Sequence, residues 1–218
     1  MENSRPYVIL SAAISIDGKI ATRTGNSKLS STEDFLRLHK LRSKVDGIIV
    51  GKNTVMKDNP SLTVRHTKGK NPIRIILDSK GSITAKSKIL QTSNKIPTII
   101  AVSKAISKSN LQKLNKVPVE IITVGKNSVN IKSLLEKLSE KNIKSILVEG
   151  GGTVNWEFIK QNLFDEMIVT VSPYLIGGNN AVSLVQGVGF DKISKSPNLR
   201  LKSVKRLKNH LVLNYLKV

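Results

Sequence analysis

No cysteine occurs among the 218 residues, which excludes disulfides, thiolate nucleophiles and every cysteine-containing zinc site. Histidine is scarce too, and His39, His66 and His210 show no metal-ligand spacing. Aromatic side chains make up only 4% of the chain, with no interleaving of aromatic and basic residues of the kind that stacks single-stranded bases. Long hydrophobic runs are missing as well. Gly47–Val50 and Ile96–Val102 have the length of strands, far below the ~20 residues a bilayer requires, so no membrane partner is expected. Glu2 and Arg5 precede a short strand-like run without a signal-peptide pattern, and a cytoplasmic protein is the expectation. Acidic residues are the last shortage: 15 Asp and Glu stand against 36 Lys and Arg, a formal charge of +21.

That charge favours anionic ligands. Its basic residues are mostly single lysines spread along polar faces, with only eight arginines and no basic tail, so a solvated lysine-rich surface outweighs a nucleic-acid interface. A hydrophobic fraction of 39%, with Gly and Pro distributed throughout, suits one α/β domain over residues 1–218.

The stretch that organises the chain is Ser145–Ile159. Ser145-Ile146-Leu147-Val148 stops at Glu149, then Gly150, Gly151 and Gly152 follow, and a helical pattern opens at Thr153. A strand, a glycine turn and a helix N-terminus can hold an anion, because unpaired N–H groups of the first helical turn point at negative charge. An ordinary buried βα turn has the same spacing. Asn155 stands where the dinucleotide fingerprint G-x-G-x-x-G needs its third glycine, which disfavours a standard Rossmann site.

Around this stretch the pattern alternates strand and helix, implying a mainly parallel sheet. Tyr7–Ile14 reads as a central strand running into Asp17-Gly18, a turn signal. Ser31-Thr32-Glu33-Asp34 has capping-box form ahead of an apolar stripe of Phe35, Leu38, Leu41 and Val45. Ile48–Val50 is a buried strand, and Thr54 and Asp58 share a face of the short helical turn after it. Pro72–Leu77 is a strand ending at Asp78-Ser79. Further strands are expected at Ile96–Val102, Val119–Val124 and Glu166–Val171, with helices at Ser109–Asn115, Ile131–Lys141 and from Thr153 to about Asn162. Leu199–Val204 and Leu211–Leu216 read as a terminal antiparallel hairpin across Lys205–His210. The polar clusters at Asp17–Lys19, Thr54 with Asp58, Asp78-Ser79 and Glu149–Thr153 all follow strands, where open α/β sheets place ligands.

Four segments carry a resemblance. Ser15-x-Asp17-Gly18-Lys19-Ile20-Ala21, Gly51-x-x-Thr54-Val55-x-x-Asp58-Asn59-Pro60-x-Leu62-Thr63-Val64-Arg65, Pro72-Ile73-Arg74-x-x-x-Asp78-Ser79 and Val148-Glu149-Gly150-Gly151 are similar to the reductase domain of riboflavin biosynthesis, in order and over nearly the whole chain, through Pro173–Gly178. The resemblance implies a dihydrofolate-reductase-like α/β fold, a homodimer, and NADPH-dependent (with NADH as an alternative) reduction of a phosphorylated ribosylaminopyrimidine to its ribitylamino counterpart. Without cysteine, and beginning at the reductase's first strand, the chain resembles the stand-alone archaeal and fungal type, which reduces 2,5-diamino-6-ribosylamino-4(3H)-pyrimidinone 5′-phosphate before deamination. A reductase of the same fold acting on another pyrimidine or a pterin is the alternative.

By the same resemblance Thr54, Asp58, Ser79 and the segment Gly150, Gly151, Gly152, Thr153, Val154, Asn155, Trp156 and Glu157 match cofactor positions. Arg42, Leu62, Arg65 and Glu149 match substrate positions, and Asn26 or Ser27 falls where a further substrate contact is expected. In the Thr22–Ser30 loop the bacterial relatives' cofactor-contacting tryptophan is missing, with Lys28 or Leu29 near its place. The residue types suit the chemistry. An arginine fork binds phosphate bidentately, and Glu149 can orient substrate or move a proton during ring opening. Asp17 is a second catalytic candidate beside its turn role. Each has a plainer reading: Arg42 as a helix arginine over apolar surface, Arg65 as an exposed strand charge, Thr54, Asp58 and Ser79 as turn or cap groups, Glu149 as a strand-end cap.

Overall fold

The computed structural model describes residues 5–218. Runs of Ile, Val and Leu become strands and the amphipathic segments become helices. In chain order these are β1 (Tyr7–Ile14), β2 (Lys19–Ala21), α1 (Thr32–Arg42), β3 (Gly47–Gly51), α2 (Lys52–Asp58), β4 (Ile73–Leu77), α3 (Lys88–Gln91), β5 (Thr98–Val102), α4 (Lys108–Leu114), β6 (Glu120–Thr123), α5 (Ile131–Glu140), β7 (Ser145–Val148), α6 (Gly152–Lys160), β8 (Glu166–Val171), β9 (Val182–Ser183), β10 (Leu199–Leu207) and β11 (His210–Lys217). No helix among the described residues is long and apolar enough to cross a membrane, and none of their acidic or histidine side chains group as a metal site.

The chain groups into two compact units, one of residues 5–7 with 41–147, the other of residues 8–40 with 148–218. In the first, strands lie in the order β7-β3-β4-β5-β6. β3–β4, β4–β5 and β5–β6 pair in parallel. β3 and β5 are buried at every residue, the mark of strands covered on both faces. Three of its helices begin at side-chain caps, with Ser87, Ser107 and Asn130 accepting from the amides of Leu90, Asn110 and Ser133, whereas α2 follows Gly51 without one. α5 then buries Ile131, Leu134, Leu135 and Leu138 as one stripe.

In the second unit the order is β10-β11-β8-β1. β1 and β8 are parallel, whereas β8–β11 and β10–β11 are antiparallel. β2 and β9 form a small antiparallel ribbon. The fold class expected from the sequence is thus present: a mainly parallel α/β arrangement closed by an antiparallel hairpin.

Two local expectations differ. The hairpin strands are longer than the sequence pattern indicates, leaving only Lys208 and Asn209 between them, because alternating Lys and Arg on β10 conceal its periodicity. On α1 the most buried residues are Asp34, His39 and Arg42, whereas the apolar Phe35, Leu38 and Leu41 are half-buried. Burial pushes the Asp34 carboxyl up, but the Arg37 charge and hydrogen bonds from Thr170 and Ser30 outweigh it and hold it below the ordinary carboxylate value. Thr170 Oγ1 donates at 2.6 Å and Arg37 Nε at 2.8 Å. Ser31 Oγ caps the helix through the Asp34 amide at 3.2 Å.

Candidate active site

In the first unit the candidate groups follow β3 and β4. Gly51 leads directly into α2, which places Thr54 and Asp58 one turn apart, half-buried and exposed respectively. Asn59 ends α2 in the left-handed conformation (φ 40°), and its side chain accepts from the Lys88 amide at 2.8 Å. The loop beyond it is held by guanidinium groups. Arg42, 6% exposed, donates to the Thr63 carbonyl at 3.1 Å, and the fully buried Arg74 reaches the Ser61 carbonyl at 3.4 Å. Between them Leu62 adopts φ 50° and buries its side chain, while Arg65 emerges exposed. Arg42 therefore braces the loop that presents Leu62 and Arg65, a contact the sequence does not signal.

After β4, Asp78 is 3% exposed and spends its carboxylate on the loop ahead, accepting from the Ile83 amide at 2.7 Å and from Ser82 Oγ at 3.3 Å. Ser79 Oγ accepts from the Val129 amide at 3.1 Å. Its hydroxyl proton remains able to donate to a ligand oxygen.

In the second unit Glu149 is half-buried, and Gly150 follows at φ 83°, a conformation that side chains other than glycine's rarely adopt. Gly151 is the N-cap of α6 and provides no side-chain acceptor. The N-cap of this nine-residue helix is thus left to backbone alone, and amides of a helix's first turn are groups that can hold an anion. Gly152 has another reason to be glycine. A Cβ there would lie 2.4 Å from the Ser183 carbonyl oxygen, and the Gly152 carbonyl accepts from the Gln186 amide at 3.0 Å. Thr153 is exposed and Val154 half-buried, facing outward from the turn. Asn155 and Trp156 point inward: Asn155 Nδ2 donates to the Leu184 carbonyl at 2.8 Å, and Trp156 stacks edge-on against Phe190 at 5.0 Å. Glu157 pairs with Lys160. The Trp156 side chain, 9% exposed, lines a cavity with Phe164, Met167 and Phe190.

Asp17 is a latch. The Ser15 hydroxyl, with the Ile176 amide at 3.0 Å and the Gly177 amide at 2.7 Å, donates to its oxygens and holds its carboxyl well below the usual range. A group so fixed in the ionised state is a weak proton shuttle. Asn26 and Ser27 lie exposed on the loop after β2; the Asn26 side chain accepts from the Lys28 amide at 3.0 Å.

An α/β fold with an uncapped helix at a glycine turn suits a nucleotide-dependent enzyme of the dihydrofolate reductase type. A dihydrofolate reductase from Enterococcus faecalis shares this fold at a TM-score of 0.55 and 12% identity, over 97% of this chain and 96% of its own. Residues 6–213 match the RibD C-terminal domain, and the chain belongs to that family. It is 43% identical over 204 residues, 91% of either chain, to the 2,5-diamino-6-ribosylamino-4(3H)-pyrimidinone 5′-phosphate reductase of Aquifex aeolicus (strain VF5). The enzyme of that name from Methanothermobacter thermautotrophicus is 38% identical, over 97% of this chain and 98% of its own. Acinetobacter baumannii RibD (form 2) superposes at a TM-score of 0.86 with 26% identity; all of this chain is covered, corresponding to 59% of that one.

Proposed function

We propose that this protein reduces the ribose of 2,5-diamino-6-ribosylamino-4(3H)-pyrimidinone 5′-phosphate to the ribitylamino product with NADPH, acting as one reductase domain over residues 1–218. The observation that carries the reading is the near-full-length, 43% identity to the Aquifex aeolicus relative of that name. The uncapped N-terminus of α6 behind Gly150 supports it, since a dinucleotide pyrophosphate is an anion that such a turn can hold.

In this reading the Gly152 and Thr153 amides meet the pyrophosphate, with Gly150 and Gly151 shaping the turn before them, and Ser79, Thr54 and Asp58 contact other parts of the dinucleotide. Leu62 and Arg65 hold the substrate on the loop that Arg42 and Arg74 brace, Arg65 meeting the 5′-phosphate. The reduction needs an open sugar. The ring C1–O4 bond breaks, a proton leaves the exocyclic nitrogen and one arrives on O4, giving an imine. Bound NADPH would supply hydride for that carbon, and the nitrogen regains a proton from solvent. Glu149 is the residue assigned to relay those protons and to stabilise positive charge on nitrogen.

A cytoplasmic homodimer completes the proposal. β10 is the outer strand of its sheet, and Leu201 and Val204 are 47% and 54% exposed on it, a strand edge suited to a second copy. Cofactor oxidation by the purified protein tests the function. NADPH and NADH are each offered with the diaminopyrimidine, with its deaminated form and with a pterin. Turnover of the diaminopyrimidine with mass-confirmed ribitylamino product is expected; turnover of the pterin alone would overturn the substrate assignment.

A further inference from the structure

The Thr22–Ser30 loop departs from the bacterial pattern, yet it is not loose. Its first half is closed on itself: the Thr22 amide donates to the Asn26 carbonyl at 2.9 Å, the Asn26 amide to Thr22 Oγ1 at 3.1 Å, and the Gly25 amide to the Thr22 carbonyl at 2.9 Å. Its second half is anchored by one buried residue, Leu29, 5% exposed. The Leu29 carbonyl meets Nε2 of His210 at 3.1 Å, and His210 is itself 7% exposed. As the carbonyl can only accept, the imidazole carries its proton on Nε2 and donates. Two residues earlier on the same hairpin, Lys208 forms an ion pair with Glu33 in the first turn of α1. The β10–β11 turn therefore grips the chain on both sides of Ser30 and Ser31, its hold at Leu29 lying three residues beyond the exposed Asn26.

We propose that His210 is a positioning residue: through the Leu29 carbonyl it fixes the loop that presents Asn26 and Ser27, and so sets affinity for the phosphorylated pyrimidine without touching it. The inference rests on the substrate reading above and on the substrate contact that the family resemblance implies at Asn26 or Ser27. A buried histidine that merely satisfied one carbonyl would influence stability alone. A positioning histidine also controls the entropy that binding must remove from the loop.

The test compares His210→Leu, which keeps bulk and removes the donor, with His210→Gln, whose amide nitrogen can stand where Nε2 does. In the intact protein, His210→Leu is expected to speed amide hydrogen exchange across Ser27–Ser30. It should also raise KM for the diaminopyrimidine roughly 2- to 10-fold, the effect of one neutral hydrogen bond, with KM for NADPH unchanged. His210→Gln should restore both. Unchanged exchange in that segment, or faster exchange with an unchanged substrate KM, overturns the proposal; so does a variant that only melts earlier. If His210→Leu does not fold, Glu33→Ala releases the other half of the grip, and unaltered exchange there is equally fatal. Hydrogen exchange needs no turnover, so a parent enzyme inactive on the pyrimidine would refute the substrate reading and leave the clamp separately decided.

Discussion

Replacing Arg74 by Met removes a cation that is fully buried and bonded entirely to neutral acceptors among its recorded contacts. Nε and Nη2 donate to Thr98 Oγ1 at 3.0 and 2.6 Å, Nη2 to the Ile89 and Ile96 carbonyls at 2.9 and 3.2 Å, and Nη1 to Thr92 Oγ1 at 2.8 Å and the Ser61 carbonyl at 3.4 Å. A hydrogen bond from a charged donor contributes about 1.5 kcal/mol at the low end of its range, so five acceptors give roughly 7 kcal/mol. Burial works against this and lowers the guanidinium from 12.5 to about 10. At about 1.4 kcal/mol per unit, that offsets on the order of 3 kcal/mol. Three of the five acceptors keep part of their bonding after the change: Thr98 still donates to the Ile96 carbonyl at 2.9 Å, and Thr92 to the Lys88 carbonyl at 2.6 Å. The Ile89 and Ser61 carbonyls lose these donors. The balance is a loss of about 3–5 kcal/mol, or on the order of 10 °C in Tm for a chain of this size. Arg74→Lys should also lose stability, since an ammonium keeps the buried charge and offers three protons to five acceptors. Urea unfolding followed by far-ultraviolet circular dichroism measures the loss. A decrease below about 1 kcal/mol at unchanged m-value would refute the reasoning, by making the whole network worth no more than one neutral bond. Fluorescence of Trp156, the only tryptophan and a member of the other unit, is the second probe. If the two units act as one domain, its transition shifts together with the dichroism.

Arg65→Ala should raise KM for the phosphorylated pyrimidine by roughly 10-fold or more, with KM for NADPH within about 2-fold of the parent; equal changes in both would remove Arg65 from the phosphate site. Glu149→Gln should lower the turnover number about 10²–10⁴-fold if Glu149 relays protons, whereas an intact turnover number with a lower Tm would make it a strand-end group. Asp34 has a folded-state pKa below its unfolded one, so its contribution is present above about pH 4 and is lost as pH falls through the lower folded value. Asp34→Asn should accordingly melt earlier at neutral pH, with the gap to the parent closing below about pH 4, and a gap independent of pH would refute the assignment. Gly152→Ala should destabilise by about 1–3 kcal/mol because its Cβ meets the Ser183 carbonyl, and a neutral result in denaturant would show that the β9 segment gives way.

Much of the framework was legible because the period of the apolar residues decides the element type. Ile131–Glu140 carries one leucine stripe, β3 is an unbroken apolar run, and both appear where the pattern puts them. The glycine turn was legible as a turn, but not which glycine serves which purpose: Gly150 answers to its own φ, Gly152 to a carbonyl thirty-one residues away that no local pattern reveals. α1 was legible as a helix and illegible as a face, since the residues it buries deepest are polar and are satisfied by distant partners such as Thr170. Arg74 could be read only as a basic residue in a motif, and Arg42 only as a helix arginine or a substrate position. What makes them bracing groups is the carbonyls of the 59–65 segment, and loop carbonyls leave no mark in a sequence.

The shortage of acidic residues acquires a physical meaning from where the few of them point. Asp46 accepts from the Lys144 and Ser145 amides, Asp78 from Ile83, Asp165 from Val8, and Asp17 from Ile176 and Gly177. Asp34 and Glu166 are buried on Thr170 and Asn214. These carboxylates work as backbone clamps and core acceptors, tasks that require a fixed negative oxygen and that lysine cannot perform. All 15 acids together still leave an excess of basic groups, a formal charge of +21. The positive field that remains suits a protein whose two proposed ligands, a dinucleotide and a sugar phosphate, both arrive as anions.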